Sequence, residues 1–430
     1  MIKSNVYFSK FTTPDQLPRK IGLPFFLEEF FLNNLKYKKK INLADKIKLK
    51  IFNNKFFRKL ILLIILLKRV SLHFKKPKKN KIIIFDCTNY IDIKKVIKEK
   101  NFFLLSNRVE RIKDIYVCKK ILTFMIKNFF KRSIKLNYLI ALIKIISPKI
   151  VITKIDNSKD FYEVSRELHK KIKFIAIQNA HRGDTLFAPI KETKRIFIPY
   201  YLCFSPYEEK IYKMKKAKVK KFIPIGSIKT SLALNYIKQN KIPKKEKYDI
   251  CLISEPHVDL NHKDNIKNFV ETVGLIAQFT HKLCEEKKLK LIFVGKGTNK
   301  IKKNVEKEFY KYFLKTKFKI EYGPRNSWNS YQRIMQSNLV VGHHTSLLRE
   351  AISLNKKVLC CNFTGSKYLK FPSEGLCQLK KNTYSAFKER AMKILSMSNE
   401  KYFLSLKQNK DFIMVPSSHF IKSLRKEITI

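Results

Sequence analysis

The segment Val341-Gly342-His343-His344-Thr345-Ser346-Leu347-Leu348-Arg349-Glu350-Ala351 gathers the most chemistry in this 430-residue chain. An apolar run ends at Val341, a turn follows, and Thr345 and Ser346 open a helical pattern. Hydroxyls and unpaired backbone N–H groups at such a helix start form an anion site, and a diphosphate is its natural ligand. Gly342 is expected to ease the turn, having no Cβ. Glu350 falls one turn inside on the side of Ser346, where its carboxylate can accept hydrogen bonds from ribose hydroxyls. The plainer reading is a capped helix with a solvated glutamate.

Other strand ends add polar groups. Phe293-Val294-Gly295-Lys296-Gly297 ends an apolar run in a turn that would let backbone approach a phosphate, with Lys296 as countercharge; the P-loop spacing is absent. Ile177-Gln178-Asn179-Ala180-His181-Arg182-Gly183-Asp184 follows another run. His181 can serve as general base, because its reference pKa lies near working pH. Asp184 can orient it or act in its place, and Arg182 can grip an acidic substrate through two N–H groups. Gln178 and Asn179 stand beside them. Asp156, after Ile150-Val151-Ile152-Thr153, is expected to face the same cleft, and His257 its floor. Asn362 and Thr364 are placed to line a base or phosphate pocket. No Asp-x-Asp pair suits a divalent ion, and no Cys or His spacing suits zinc. No metal or cofactor is expected.

The elements that must hold these groups are short continuous runs of Ile, Val, Leu and Phe, separated by helical patterns. Continuous runs suit strands covered on both faces, and the alternation predicts parallel sheets. Runs are expected at 82–85, 150–153, 174–177, 201–204, 222–225, 250–253, 291–294, 339–341 and 357–361. Helices are expected near 136–146, 159–170 and 265–287. The polar stretch 238–247 has no core face and reads as a linker. The division expected is a helical segment over 1–80, sheet domains over 81–240 and 247–400, and a helical tail over 401–430. Two such domains in tandem put a cleft at their C-terminal strand edges.

Charge bounds the partners. Lys and Arg number 92 against 34 Asp and Glu, a formal +58, and 14 of the 92 are Arg. Lysines spread over the whole chain, with few of the forked Arg donors that read bases, argue against specific nucleic-acid binding. They are better matched to general anion attraction. Leu60–Leu67 is an apolar run of eight with basic flanks, far short of the roughly 20 residues a span needs. It reads as a buried helix or as a basic amphipathic helix on an anionic inner membrane face. Eight cysteines without a CxxC pair read as small buried apolar groups in a reducing cytoplasm.

Taken in order, several motifs resemble a known family. They are Ile177-Gln178-Asn179 with a following Arg and Gly, Pro224-Ile225-Gly226-Ser227, and Tyr248-Asp249-Ile250-Cys251-Leu252-Ile253-Ser254. Val341-Gly342 with Thr345 to Ala351, Asn362-Phe363-Thr364-Gly365, and Phe371-Pro372-x-Glu374-Gly375 complete the set. Residues 145–380 resemble the bacterial surface carbohydrate biosynthesis proteins, which are similar in layout to GT-B glycosyltransferases. The sequence departs from that pattern at Ala180, where glycine is expected. The resemblance implies an α/β, GT-B-like fold of two Rossmann-like domains facing a cleft. It implies a nucleotide-sugar on the C-terminal domain and a saccharide or lipid-linked saccharide acceptor on the N-terminal one. Thr345 and Ser346 would meet the diphosphate and Glu350 the ribose, with no bound divalent ion. Sugar transfer is the activity expected. A polyol-phosphate transferase of the teichoic-acid type or a nucleotide-sugar epimerase keeps the fold and changes the chemistry. A non-enzymatic nucleic-acid or lipid-surface binder is the remaining alternative.

Overall fold

The structure is a computed structural model. It describes residues 70–88, 90–97, 102–108, 111–182, 193–242, 246–255, 266–297, 300–323, 328–366, 371–372, 375–406, 411–416 and 420–428. The Leu60–Leu67 run, Asp184 and His257 lie outside the described residues.

The strands, in chain order, are β1 Ser71–His73, β2 Ile82–Phe85, β3 Phe102–Leu105, β4 Asp114–Tyr116, β5 Ile150–Thr153, β6 Lys173–Ile177 and β7 Phe197–Cys203. They continue as β8 Lys218–Pro224, β9 Tyr248–Ile253, β10 Leu291–Val294, β11 Ile320–Glu321, β12 Ser337–Gly342, β13 Lys357–Cys361 and β14 Gln378–Leu379. The helices are α1 Tyr90–Val96, α2 Lys119–Lys127, α3 Ile134–Ile146, α4 Lys159–Leu168, α5 Pro206–Met214, α6 Ile228–Gln239 and α7 Ile266–Glu286. After them come α8 Lys300–Leu314, α9 Asn329–Met335, α10 Ser346–Ser353, α11 Tyr384–Ser396, α12 Asn399–Ser405 and α13 Phe420–Ile428.

Among the described residues the chain forms two compact units. One contains residues 70–90 and 98–175, the other 91–97 and 176–430. The boundary runs through β6, and the linker expected at 238–247 lies inside the second unit.

In the first unit the order is β3-β2-β5-β6, with β3, β2 and β5 parallel. β2 and β5 are buried along their whole length, as unbroken Ile and Val runs require. Between them α3 starts at Ser133, whose hydroxyl accepts from Leu136 N, and stops where Ser147 turns left-handed at φ 53°. The chain leaves β2 and passes out to β3 on one side, then returns to β5 on the other, so direction reverses between β2 and β5.

In the second unit β7 and β8 run parallel, and a six-stranded parallel sheet has the order β11-β10-β9-β12-β13-β14. The chain starts at β9, works outward through β10 and β11, then restarts beside β9 at β12. That is doubly wound Rossmann topology, with its switch point between β9 and β12, the place where such sheets bind ligands. The core here packs Ile250, Cys251, Leu339, Val340, Val358 and Leu359 against α7, α10 and α11. Among the described residues no strand before residue 243 shares a sheet with a strand after it.

All nine expected strands form. β7 and β8 begin four residues earlier than their apolar cores, and both domain sheets gain short members at their edges. Seven of the eight cysteines are buried thiols, and burial pushes Cys251 and Cys284 up to about 12. Among the described residues no helix is long and apolar enough to cross a membrane.

Candidate functional site

The site grows from the start of α10 at the β9/β12 switch point. Thr345 is the N-cap and its hydroxyl accepts from Leu347 N at 3.3 Å. The preceding His344 N donates to Glu255 Oε2 at 2.9 Å, which ties the β12 turn to the end of β9. Gly342 does not turn the chain. It is the last residue of β12 with an ordinary φ, and a Cβ there would stand 3.3 Å from Leu348 Cδ2, so the glycine lets α10 approach the sheet.

One turn into α10, Arg349 is 1% exposed. Its Nη1 donates to Glu208 Oε1 at 2.5 Å and Nη2 to Ser205 Oγ at 3.0 Å. Nε and Nη2 donate to Phe412 O at 3.2 and 2.8 Å. The rings of Phe204 and Tyr207 stand 5.7 and 5.5 Å from the guanidinium carbon, a cation–π arrangement. Glu208 itself closes a capping box at the start of α5, accepting from Ser205 N and Ser205 Oγ at 3.0 and 2.9 Å. A buried pair is tolerated only when its remaining donors and acceptors are met, and this one is met on every side.

The last donor of Arg349 fixes His181. Nη1 lies 3.2 Å from His181 Nδ1. A guanidinium only donates, so Nδ1 must accept and the imidazole proton must sit on Nε2. That Nε2–H is enclosed and has no partner among the described residues. Burial, then the Arg349 charge, hold the ring well below the ordinary histidine range, so it is neutral. The His344 ring stands edge-on at 5.4 Å. The structure therefore fixes a neutral imidazole beside the start of α10, its Nε2–H a donor in place of the base expected from sequence.

The other expected residues divide sharply. The Gln178 amide is taken up by its own loop: Nε2 donates to Ala180 O and Glu208 Oε1, and Oε1 accepts from Phe204 N. Asn179 Oδ1 accepts from Arg182 Nη2 at 2.7 Å. Glu350 is buried and accepts from Ser227 Oγ at 2.6 Å and Tyr331 OH at 2.7 Å, a tie between α6, α9 and α10 and not a solvated carboxylate. Burial, then the Glu350 charge, push the Tyr331 hydroxyl well up, so it remains the donor. Asn362 Oδ1 accepts from Thr364 Oγ1 at 2.6 Å, closing the turn after β13. Ser346 lies half-buried at the first position of α10.

The Gly-Lys-Gly turn after β10 is not an open phosphate cradle. Its amides already hold an anion: Lys296 N and Gly297 N donate to the two Glu306 oxygens at 3.0 and 2.8 Å. Its glycines serve packing, because a Cβ at Gly295 would overlap the Tyr322 ring and one at Gly297 would stand 2.8 Å from Lys303 N. The Lys296 side chain is exposed. Asp156 belongs to the first unit, fully buried after β5. Among the described residues no group of three His, Cys, Asp or Glu side chains could hold a metal ion.

Sequence reasoning missed Glu208, Glu306 and the role of Arg349. Ser205-Pro206-Tyr207-Glu208 is a legible capping box, and it marked the position if not the partner.

Residues 175–375 match the family described as "putative O-antigen biosynthesis protein". No curated protein sequence matches the chain. Among solved structures, the fold matches a putative UDP-N-acetylglucosamine 2-epimerase from Listeria monocytogenes at 13% identity and TM-score 0.50, covering 81% of this chain and 96% of that one. A glycosyltransferase from Rickettsia africae is similar at 14% identity and TM-score 0.42, covering 82% and 99%. The wall teichoic acid polymerase TagF is similar at 11% identity and TM-score 0.48, covering 90% and 97%. The parallel sheets and the match to the Listeria structure make the fold α/β and GT-B-like, and the surface-carbohydrate resemblance read from the sequence is borne out over residues 175–375 by the O-antigen biosynthesis family they match.

Proposed function

We propose that the protein transfers a sugar from a nucleotide-sugar to a surface polysaccharide precursor. The family match supports the process, and one observation carries the chemistry. Beside the turn that opens α10 stands the ring of His181, a buried, neutral imidazole whose N–H has no acceptor among the described residues. The nucleotide diphosphate is seated on the α10 start, where Thr345, Ser346 and the helix's partial positive charge favour an anion. His181 Nε2–H donates to an oxygen of the donor as negative charge develops on the leaving diphosphate, the moment at which a fixed donor in a dry site is most effective. Arg349 and Glu208 hold that ring in place. The reading calls on no resident metal or cofactor. Glu350 fixes the helix that carries the site; Lys296, Asn362 and Thr364 follow β10 and β13 of the same sheet, and Asn179 and Arg182 lie in the His181 loop.

A basic, apolar surface on the first unit supports peripheral contact with anionic membrane, where a lipid-linked acceptor would reside. Phe130 is 98% exposed and Ile126 75%, with Phe129 and Ile134 beside them and Lys119, Lys120, Lys127 and Lys131 exposed around them. Apolar side chains ringed by lysines match a headgroup boundary.

Thermal shift with UDP-, GDP-, CMP- and dTDP-sugars tests the donor, because a ligand of the folded state raises the midpoint. Product analysis then separates the chemistries. A donor consumed only when an acceptor is supplied supports transfer. A donor converted with no acceptor present shows an epimerase, and a glycerol-phosphate donor consumed in preference to sugars shows a polyol-phosphate transferase. No shift with any donor refutes the nucleotide site.

A further inference from the structure

The start of α10 carries a carboxylate to which the reading above gives no role. Glu255 stands just beyond the end of β9, and its backbone N donates to Tyr310 OH at 3.2 Å. Its side chain reaches across to the neighbouring strand end, where Oε2 accepts from His344 N at 2.9 Å. His344 directly precedes the Thr345 N-cap. Backbone and side chain are therefore both pinned, and the carboxylate is held beside the seat assigned to the diphosphate.

Two other carboxylates of this unit show what a purely structural one looks like. Glu306 and Glu350 are buried, and both of their oxygens are taken. Glu306 accepts from Ser254 Oγ and Lys296 N on one oxygen and from Gly297 N on the other. Glu350 accepts from Ser227 Oγ on one and Tyr331 OH on the other. Glu255 is only half-buried. Its Oε1 accepts from no described residue, no lysine or arginine pairs with it, and the atom is not sealed from solvent. The tie to His344 N occupies one oxygen and leaves the other open.

The consequence for a ligand is one of sign. An ionised carboxylate only accepts hydrogen bonds. Beside an anion seat it opposes any further negative charge, and more strongly in a partly buried site than in water. A group that brings O–H or N–H donors satisfies it. In a nucleotide-sugar seated on α10, the group joined to the diphosphate is the sugar. We propose that Glu255 is a specificity-determining residue. Its Oε1 accepts from a hydroxyl or amine of the transferred sugar, and its charge disfavours donors whose sugar is a carboxylic acid. The donor class narrows to nucleotide-activated neutral or amino sugars. The inference rests on the α10 reading and adds a choice among donors that the helix start does not make.

The test is calorimetry on the full chain with matched pairs that share a base and differ by one carboxylate. UDP-glucose is set against UDP-glucuronic acid, dTDP-glucose against dTDP-glucuronic acid and GDP-mannose against GDP-mannuronic acid, each beside its bare nucleotide. CMP-N-acetylneuraminic acid supplies an acidic donor on cytidine. For the base that binds, the neutral sugar should bind roughly tenfold more tightly than the acidic one. Glu255→Gln keeps an acceptor for His344 N and removes the charge. It should shrink that preference roughly five- to tenfold, the acidic sugar gaining affinity, the neutral one losing it and the bare nucleotide not weakened. Glu255→Asp keeps the charge and should keep the preference. A merely structural role would weaken all three ligands alike. An acidic sugar bound as well as the neutral one overturns the assignment with no variant needed, as does preferred binding of CMP-N-acetylneuraminic acid. A preference that Glu255→Gln leaves unchanged, or a uniform loss for all three ligands, overturns it too. In those cases nucleotide binding leaves the α10 seat standing. Binding of no nucleotide refutes the α10 reading and this one with it.

Discussion

Two arginine–carboxylate pairs, one in each unit, show what burial does to the same chemistry. Arg349 and Glu208 are each 1% exposed, and every guanidinium nitrogen has an acceptor. Arg108 meets Asp86 through Nε alone and is 40% exposed at the rim of a cavity. The first pair is part of the frame and acts on a ligand only through His181. The second is buried on its carboxylate side and open to solvent on its arginine side. A pair saturated inside the protein holds a frame; a pair open on one side keeps its cation in contact with water.

The comparison breaks first at Glu208. Glu208→Ala strands the Arg349 charge in the interior, and urea unfolding should show a loss of about 3–5 kcal/mol, the usual cost of removing one partner of a buried pair. A loss under about 1 kcal/mol, the size of a surface pair, would put Arg349 in water and end the distinction. Glu350→Ala comes next. It leaves the Ser227 and Tyr331 hydroxyls without their acceptor, at roughly 1–3 kcal/mol for each that stays unmatched. A variant as stable as the parent would return Glu350 to the ligand.

The pH dependence sharpens the account of His181. Its folded pKa lies well below the unfolded value, and burial holds His343 down to about 4. Below the unfolded value of about 6.5 the unfolded chain takes up protons that the folded one refuses. Stability should therefore be complete above about pH 6.5 and fall as pH drops toward 4. His181→Phe should flatten part of that acid limb in thermal denaturation. An unchanged limb would mean that the ring is already charged, which the Arg349 contact forbids. The smallest effect belongs to Lys135→Met. Its exposed pair with Asp160 should cost about 0–1 kcal/mol in urea unfolding.

Much of the fold was legible because buried parallel strands have a plain signal. β2, β5, β9 and β13 each carry three or four successive apolar residues between helical patterns. β1, β3, β4, β11 and β14 were not legible: they are two to four residues long or half-exposed at edges, where composition is unconstrained. The site was legible only in part. Thr345 as N-cap follows from local spacing. The carboxylate that fills the Gly-Lys-Gly turn comes from α8, and the one that neutralises Arg349 comes from α5, 141 residues away. No periodicity encodes such pairings, because they depend on which strand ends the topology brings together. The sequence suggested a base at position 181, and only the identity of its neighbour, an obligate donor, reveals which ring nitrogen carries the proton.

The Phe412 carbonyl that receives two bonds from Arg349 has a consequence for the order of assembly. Val415 N also reaches back, to Phe204 O at 3.0 Å. The segment that completes the guanidinium's shell is thus made after Arg349, which is itself made after Glu208. Contacts of such long sequence separation form late and slowly. The nascent chain must keep Glu208 and then Arg349 waiting, and the imidazole of His181 acquires its fixed orientation only when the tail has docked. Chain order, and not local propensity, decides when this ring is set.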